Sequence, residues 1–104
     1  MARNPLSVEF LSSPARISRV NPQERFAANL RKARTKAGIS QEELGNRCDL
    51  HRTEISLLER AGREPRLATI VKLAGSLETT PAELIAGIAW SPSSGKFDVK
   101  KPTN

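Results

Sequence analysis

The sequence has few of the residues from which disulfide frameworks, metal sites and aromatic binding platforms are built. Its 104 residues include one cysteine, one histidine, one tryptophan and no tyrosine. The single cysteine, Cys48, cannot form an internal disulfide, and together with His51 it supplies at most half of a zinc site. No disulfide, metal or cofactor is therefore expected.

Long apolar runs are missing as well. No stretch approaches the roughly 18 residues that span a bilayer, and the N-terminus lacks the apolar segment and cleavage site of a signal peptide. We find no nucleophile with a matching base and no glycine-rich phosphate loop. The sequence predicts a cytoplasmic protein without catalytic residues and without membrane contact.

Positive charge is the abundant feature. The 17 lysines and arginines exceed the 11 carboxylates, which gives a net charge of +6 in a chain with 38% hydrophobic residues. Chains of this length usually form one domain, since domains commonly run to about 100–150 residues. The excess charge favours a polyanionic partner, either nucleic acid or an anionic surface.

Three predicted helix starts share one signal, a capping residue followed three positions later by Glu. These boxes begin at Asn21, Ser40 and Thr80. Apolar residues recur at helical spacing after each box, and no part of 21–89 alternates with period two. We therefore predict an all-α fold, with a folded unit at 22–89, an N-terminal arm at 1–21, a tail at 90–104, and helices at 22–37, 41–48, 52–60, 67–76 and 81–88.

The two end segments alternate apolar and polar residues at 6–10 and 96–100. Each is a candidate short strand, whereas the prolines around them favour disorder. Our sharper hypothesis is that one or both add a strand to a partner subunit, because a five-helix domain offers them no edge. Trp90 is expected to cover the core or a dimer interface, and Arg16 and Arg19 to act as a basic arm on phosphates.

The second and third predicted helices form the pattern that places a helix in the major groove. Ser40-Gln-Glu-Glu-Leu44, followed by Leu50-His-Arg-Thr-Glu-Ile-Ser-Leu-Leu-Glu-Arg60, resembles the lambda-repressor-like, Cro/C1-type (XRE) helix-turn-helix family. The resemblance covers about 23–89 and implies a compact five-helix fold that binds double-stranded DNA. The chain departs from the family at Asp49, where glycine is frequent, and at His51, where the helix cap is often Ser or Thr.

Residues early in the third predicted helix are the candidates for reading bases. Arg52 can donate two hydrogen bonds to guanine, and the methyl group of Thr53 can contact thymine. Ser56 and Leu57 lie one turn further on. Leu57 either meets a thymine methyl or simply packs against the protein, and the sequence leaves both open.

Four other residues are candidate contacts to the DNA backbone. Gln41 matches the family glutamine that bonds phosphate and braces the recognition helix. His51, Arg60 and Arg63 are further candidates, with a solvated surface charge as the alternative for each arginine. Glu54 either accepts from cytosine or closes the cap of the third helix, and we favour the cap.

The resemblance also implies one structural ion pair. Arg34 matches the family arginine of the first helix that pairs with the glutamate matching Glu59. Removing one partner is expected to harm folding more than base choice.

Taken together, the sequence predicts a sequence-specific, homodimeric transcriptional repressor or autoregulator that binds a palindromic operator. A dimer is expected because one helix in one groove reads too few base pairs. Restriction-modification controllers, antitoxin-like autoregulators and phage repressors all remain open. The alternatives are a protein-binding module that uses its end segments and a non-specific nucleic-acid binder.

Overall fold

The computed structural model describes residues 20–102, and this part of the chain is mostly helical. The first four helices begin and end within one residue of the predicted bounds. Local capping and apolar spacing were therefore sufficient to place them. The elements are α1 (Pro22–Ala37), α2 (Gln41–Cys48), α3 (Arg52–Glu59), α4 (Leu67–Ser76), α5 (Pro81–Leu84), β1 (Ile88–Ser91) and β2 (Lys96–Val99).

Side-chain caps fix the helix starts that the sequence predicts. Asn21 accepts from the backbone N–H of Glu24 at 2.8 Å, and the Glu24 carboxylate accepts from the N–H of Asn21 at 3.0 Å. Ser40 and Thr80 each accept from the N–H three residues on, at 3.0 and 3.1 Å. At its other end α1 stops at Gly38, whose φ of +74° favours glycine.

The all-α prediction is wrong beyond residue 84. The fifth helix has four residues rather than eight, and the chain turns out of it at Gly87, which has a φ of +87°. The spacing of Leu84, Ile85 and Ile88 fits a helix, but the last of these begins a strand. Short apolar runs do not distinguish the two structures by periodicity.

Strands β1 and β2 form an antiparallel hairpin, with Trp90 opposite Phe97. The segment at 96–100 is thus a strand, but it pairs within its own chain. The expectation that the domain has no strand with which this segment could pair is therefore wrong, because β1 pairs with it. The candidate strand at 6–10 and the arginines at 16 and 19 lie outside the described residues.

Two polar side chains of α1 hold the chain on either side of the hairpin. Arg25 donates through Nε to the carbonyl of Ala86 at 3.0 Å and through Nη1 to that of Lys101 at 2.7 Å. Asn29 donates through Nδ2 to the carbonyls of Leu84 and Ala86, both at 2.9 Å. Because these bonds span more than 50 residues of sequence, no local pattern predicted them.

One aliphatic core joins the five helices and positions α3. Ile55 and Leu58 have no exposed surface, so one side of α3 is fixed against its neighbours. Within residues 20–102, no helix combines the length and the apolar character needed to cross a membrane. The largest fully buried side chains are Leu30, Leu44, Ile55, Leu58, Leu73 and Leu84.

Candidate nucleic-acid interface

The turn between α2 and α3 sets the angle at which α3 leaves the core. Asp49 ends α2 in the left-handed conformation, with φ 58° and ψ 44°, which aspartate tolerates better than most residues. Leu50 then donates its N–H to the carbonyl of Gly45 at 2.8 Å. A Cβ at Gly45 would lie 2.5 Å from the Leu50 carbonyl oxygen. This turn therefore requires glycine inside α2, a need that helix propensity alone does not indicate, since glycine is unfavourable within a helix.

His51 caps the N-terminus of α3. Its Nδ1 accepts from the backbone N–H of Thr53 at 3.0 Å. In the neutral ring the proton then resides on Nε2, so the exposed side chain keeps one N–H donor for another partner. The cap and a phosphate contact are thus compatible at this residue.

The first turn of α3 is open to solvent. Arg52 and Thr53 are exposed, and among residues 20–102 no hydrogen-bond acceptor or carboxylate engages the Arg52 side chain. Ser56 and Leu57, one turn later, are half-buried. A Cβ at Gly62 would lie 3.2 Å from a methyl carbon of Leu57. Leu57 thus packs partly against the protein while part of its surface stays exposed.

Glu54 does not close the cap of α3, the role favoured from the sequence. Its carboxylate instead accepts from Arg63 Nη1 at 2.5 Å. The pair offsets a negative charge that would otherwise oppose phosphate, and the Arg63 side chain is still 55% exposed. No local pattern predicts this contact, because Glu54 lies in α3 and Arg63 lies beyond its end, nine positions away.

The far end of α3 is anchored by a buried carboxylate. Glu59 is only 3% exposed and accepts from Arg34 Nε at 2.6 Å and from Arg34 Nη2 at 2.9 Å. Hydrogen bonding to this carboxylate raises the pKa of Arg34 above its ordinary value. Arg34 and Glu59, the expected ion pair, are thus in contact. Gln41, at the start of α2, donates to the same carboxylate at 3.1 Å.

A second arginine of α1 binds the last turn of α3. Arg31 donates through Nη2 to the carbonyl of Glu59 at 2.7 Å, which satisfies one of the carbonyls that a helix end leaves free. Arg60, just past α3, is exposed and folds back to the carbonyl of Ser56 at 3.3 Å. The sequence offered no signal for the role of Arg31, since an exposed lysine or arginine is common on any helix.

The exposed charge next to α3 is mainly positive. Arg60, Arg63 and Arg66 all lie within seven residues of chain and are exposed. The carboxylate of Glu54 is already paired. In the described part of the chain, no group of three or more histidine, cysteine or carboxylate side chains is placed to hold a metal ion.

The comparisons with known proteins agree with this geometry. A family model described as helix-turn-helix matches residues 30–84, which include α2, the turn and α3. The chain belongs to the helix-turn-helix family. It is accordingly a DNA-binding transcription regulator of the Cro/C1 repressor type, and the family is one of regulators rather than of enzymes.

Two helix-turn-helix relatives are named as controllers. Control protein C.BamHI from Bacillus amyloliquefaciens is 41% identical over 61 residues, which cover 58% of this chain and 75% of that protein. The restriction-modification controller C.AhdI from Aeromonas hydrophila is 39% identical with a TM-score of 0.58, covering 60% of this chain and 94% of its own. The P22 c2 repressor, solved in complex with a synthetic operator, is 29% identical with a TM-score of 0.56. The match covers 60% of this chain and 94% of that repressor chain.

Proposed function

We propose that this helix-turn-helix protein is a dimeric repressor or autoregulator that binds a palindromic operator through the N-terminal half of α3. The observation that carries the proposal is the contrast within α3. Arg52 is exposed without a partner among the described residues, whereas Ile55, Leu58 and Glu59 fix the same helix to the core. A helix held in this way presents its free end as a rigid reading surface.

Base reading is assigned to the exposed side of α3. Arg52 suits a guanine, to which it can donate two hydrogen bonds worth about 1–3 kcal/mol of discrimination. Thr53 supplies a methyl group for thymine and a hydroxyl for either base of a pair. Ser56 and the exposed part of Leu57 extend this surface by one turn.

Backbone contacts are assigned to the residues that flank α3. Gln41 uses one amide hydrogen on Glu59 and keeps a second for a phosphate oxygen. His51 offers its free ring N–H. Arg60 and Arg63 are exposed past the end of α3, and each places positive charge where the backbone of a groove-bound duplex would pass.

A single α3 reads too few base pairs for a specific site. Two copies bound to one duplex read two half-sites and so recognise a longer sequence. Half-sites related by a two-fold axis lie about 34–36 Å apart. Repression then requires only that the bound pair block RNA polymerase. In this proposal residues 22–89 form the DNA-binding unit, 1–21 an arm and 90–104 a tail. Strand β1 (Ile88–Ser91) crosses the boundary between the DNA-binding unit and the tail.

Restriction-modification control is the regulatory class that we favour. C.BamHI and C.AhdI, both named as controllers, share about 40% identity with this chain across most of their own lengths. By this proposal the protein would control its own operon and that of a neighbouring restriction enzyme. An antitoxin-like, protein-binding role is the alternative.

Selection from a random duplex library tests the proposal. We expect enrichment of a palindrome at physiological salt, and Arg52→Ala should relax the choice at one base pair in each half-site. Arg60→Ala is the matched control, because loss of a phosphate contact weakens all sequences alike. An absence of enrichment for the unaltered protein would overturn the proposal and favour the protein-binding or non-specific alternatives.

A further inference from the structure

The one carboxylate in the N-terminal half of α3 is held by an arginine that lies beyond the helix. Glu54 accepts from Arg63 Nη1 at 2.5 Å, and its side chain is only 24% exposed. Among residues 20–102, Arg63 is the only cation within ion-pair distance of this carboxylate. Glu54 is therefore not an independent surface charge, although it follows the proposed base-reading residues Arg52 and Thr53 directly in α3.

The segment 63–66, which follows α3, has few bonds that fix its position. Gly62 donates its N–H to the carbonyl of Leu57 at 2.8 Å, a bond that turns the chain at the end of the helix. Within the described residues, no backbone N–H of 63–66 donates to a backbone carbonyl. The bond from Arg63 to Glu54 is the only side-chain hydrogen bond between this segment and α3 in the same part of the chain.

Arg63 keeps donors for a second partner. A guanidinium group carries five N–H donors, and the bond to Glu54 uses one of them. The Arg63 side chain is 55% exposed, and two further exposed arginines, Arg60 and Arg66, lie on either side of it in sequence. A planar guanidinium that one carboxylate already orients can thus offer its remaining donors to phosphate oxygens.

An arginine that is ordered before binding loses less freedom when it meets a phosphate. Fixing one long side chain on binding reduces affinity by a factor of about two to ten. The bond to Glu54 restricts Arg63 in the free protein and so removes part of this cost. Because the two charges of the pair are opposite, its contribution to DNA binding lies in directed hydrogen bonds and not in net charge.

We propose that Glu54 is a positioning residue, which orients Arg63 toward a phosphate of the bound duplex. The carboxylate then strengthens the phosphate contact of Arg63 in spite of its own negative charge. This deepens the proposed function and rests on it, since it requires that α3 lie in the groove with Arg63 beside the DNA backbone. The pair links the base-reading helix to segment 63–66, so that both meet the duplex in one fixed arrangement.

A double-mutant cycle between Glu54 and Arg63 tests the inference, with the 104-residue chain and a duplex that carries the selected operator. We expect Arg63→Ala to weaken binding about tenfold in the unaltered protein, and about threefold or less in protein that also carries Glu54→Ala. An equal cost with and without Glu54 would overturn the positioning role, because independent charges add. A smaller cost with Glu54 present would also overturn it, and would show that the carboxylate competes with phosphate for Arg63.

Glu54→Gln separates the hydrogen bond from the charge. Glutamine and alanine both remove the negative charge, but only glutamine keeps an oxygen that can accept from Arg63. We expect Glu54→Gln to bind at least about twofold more tightly than Glu54→Ala, and this difference should vanish when Arg63→Ala is added. Equal affinities of the two single variants would contradict the proposal.

Glu42→Ala is the matched control for the loss of a carboxylate. Glu42 is exposed near the start of α2 and, among residues 20–102, has no cation within ion-pair distance. Its removal should leave the cost of Arg63→Ala unchanged, and a change as large as that caused by Glu54→Ala would overturn the specific pairing. Binding is compared at a temperature at which thermal unfolding shows every variant to be folded, since exposed ion pairs contribute little to stability.

Sequence dependence keeps this inference distinct from the proposed function. A phosphate contact is the same on every duplex, so the cycle is decisive on unrelated sequences too, and Arg63→Ala should lower the slope of log affinity against log salt concentration by about 1 on all of them. If a palindrome is selected but the cycle shows no coupling, only the role of Glu54 is wrong. If coupling is found but no sequence is preferred, the positioning stands and the regulator is wrong.

Two further outcomes are decisive. A changed preference at a single base pair in Glu54→Ala would assign Glu54 to a cytosine, and would overturn the positioning role while leaving the regulator intact. An absence of binding to any duplex would overturn both.

Discussion

The two ends of α3 lie in opposite environments, one exposed to solvent and the other buried. At the start, Arg52 and Thr53 project into solvent, and Arg52 has no partner within residues 20–102. At the end, Glu59 is buried and accepts three hydrogen bonds from Arg34 and Gln41. An eight-residue helix is too short to be stable by itself, so fixing one end is what makes the other a defined surface.

Gln41 belongs to the anchored end of α3 and is also a proposed contact to the DNA backbone. It begins α2, which packs against α3, and it donates to the same carboxylate as Arg34. Since its amide keeps one free hydrogen, a phosphate bound there would be positioned relative to Glu59 and hence to α3. The anchor and the proposed backbone contact therefore share one hydrogen-bond network.

The largest expected effect comes from breaking the anchored end. Arg34→Met leaves the buried carboxylate of Glu59 without its cation, and should lower the free energy of unfolding by about 3–5 kcal/mol. Arg47→Met is the matched control, because it breaks an exposed pair with Glu43 that contributes at most about 1 kcal/mol. Urea unfolding measures both. Equal losses in the two variants would show that Glu59 is not an anchor.

The turn that aims α3 is the next target. Gly45→Ala places a methyl group against the backbone oxygen of Leu50, and should cost about 2–3 kcal/mol of stability, in the upper part of the usual range for point mutations. Gly75→Ala is the control, because nothing lies within 4 Å of its added Cβ in α4. That change should be neutral or stabilise by up to about 1 kcal/mol. Thermal unfolding of the two variants checks this difference.

At the exposed N-terminal end of α3, a substitution should change base preference and leave stability nearly unaltered. Arg52→Ala should change stability by no more than about 0.5 kcal/mol, while the preference for one base pair falls by about 1–3 kcal/mol. Competition between operator duplexes that differ at single positions measures the preference. A loss spread evenly over all positions would assign Arg52 to phosphate instead of to a base.

The smallest effect is expected just past the anchored end. Arg60→Ala should weaken every duplex to a similar extent and reduce the slope of log affinity against log salt concentration by about 1. Titrations at several salt concentrations measure this slope. If the slope stays constant, Arg60 is a solvated surface charge, the alternative left open by the sequence.

Local patterns were enough to predict the helical part of the fold. Asn21, Ser40 and Thr80 mark helix starts because a cap and its helix are close in sequence. The same reasoning failed after residue 84, where Gly87 was the available sign of a break. The position of the hairpin against α1 also involves Arg25 and Asn29, whose partners lie more than 50 residues away.

Only some contacts of the candidate site could be predicted, because most of them join residues on separate elements. Arg34 and Glu59 were paired on the family resemblance, and the structure places them in contact. The contacts of Arg31 with the Glu59 carbonyl and of Arg63 with Glu54 were not predicted. Both depend on how separate elements approach one another, and an arginine on a surface gives no indication of its partner.

A double-mutant cycle between Arg52 and the base pair it is proposed to read tests the central claim most directly. Binding would be measured for the unaltered protein and Arg52→Ala, each on the selected operator and on one substituted at that position. The account predicts a coupling energy of about 1–3 kcal/mol. A coupling energy near zero at every position of the half-site would show that the open end of α3 does not read the sequence.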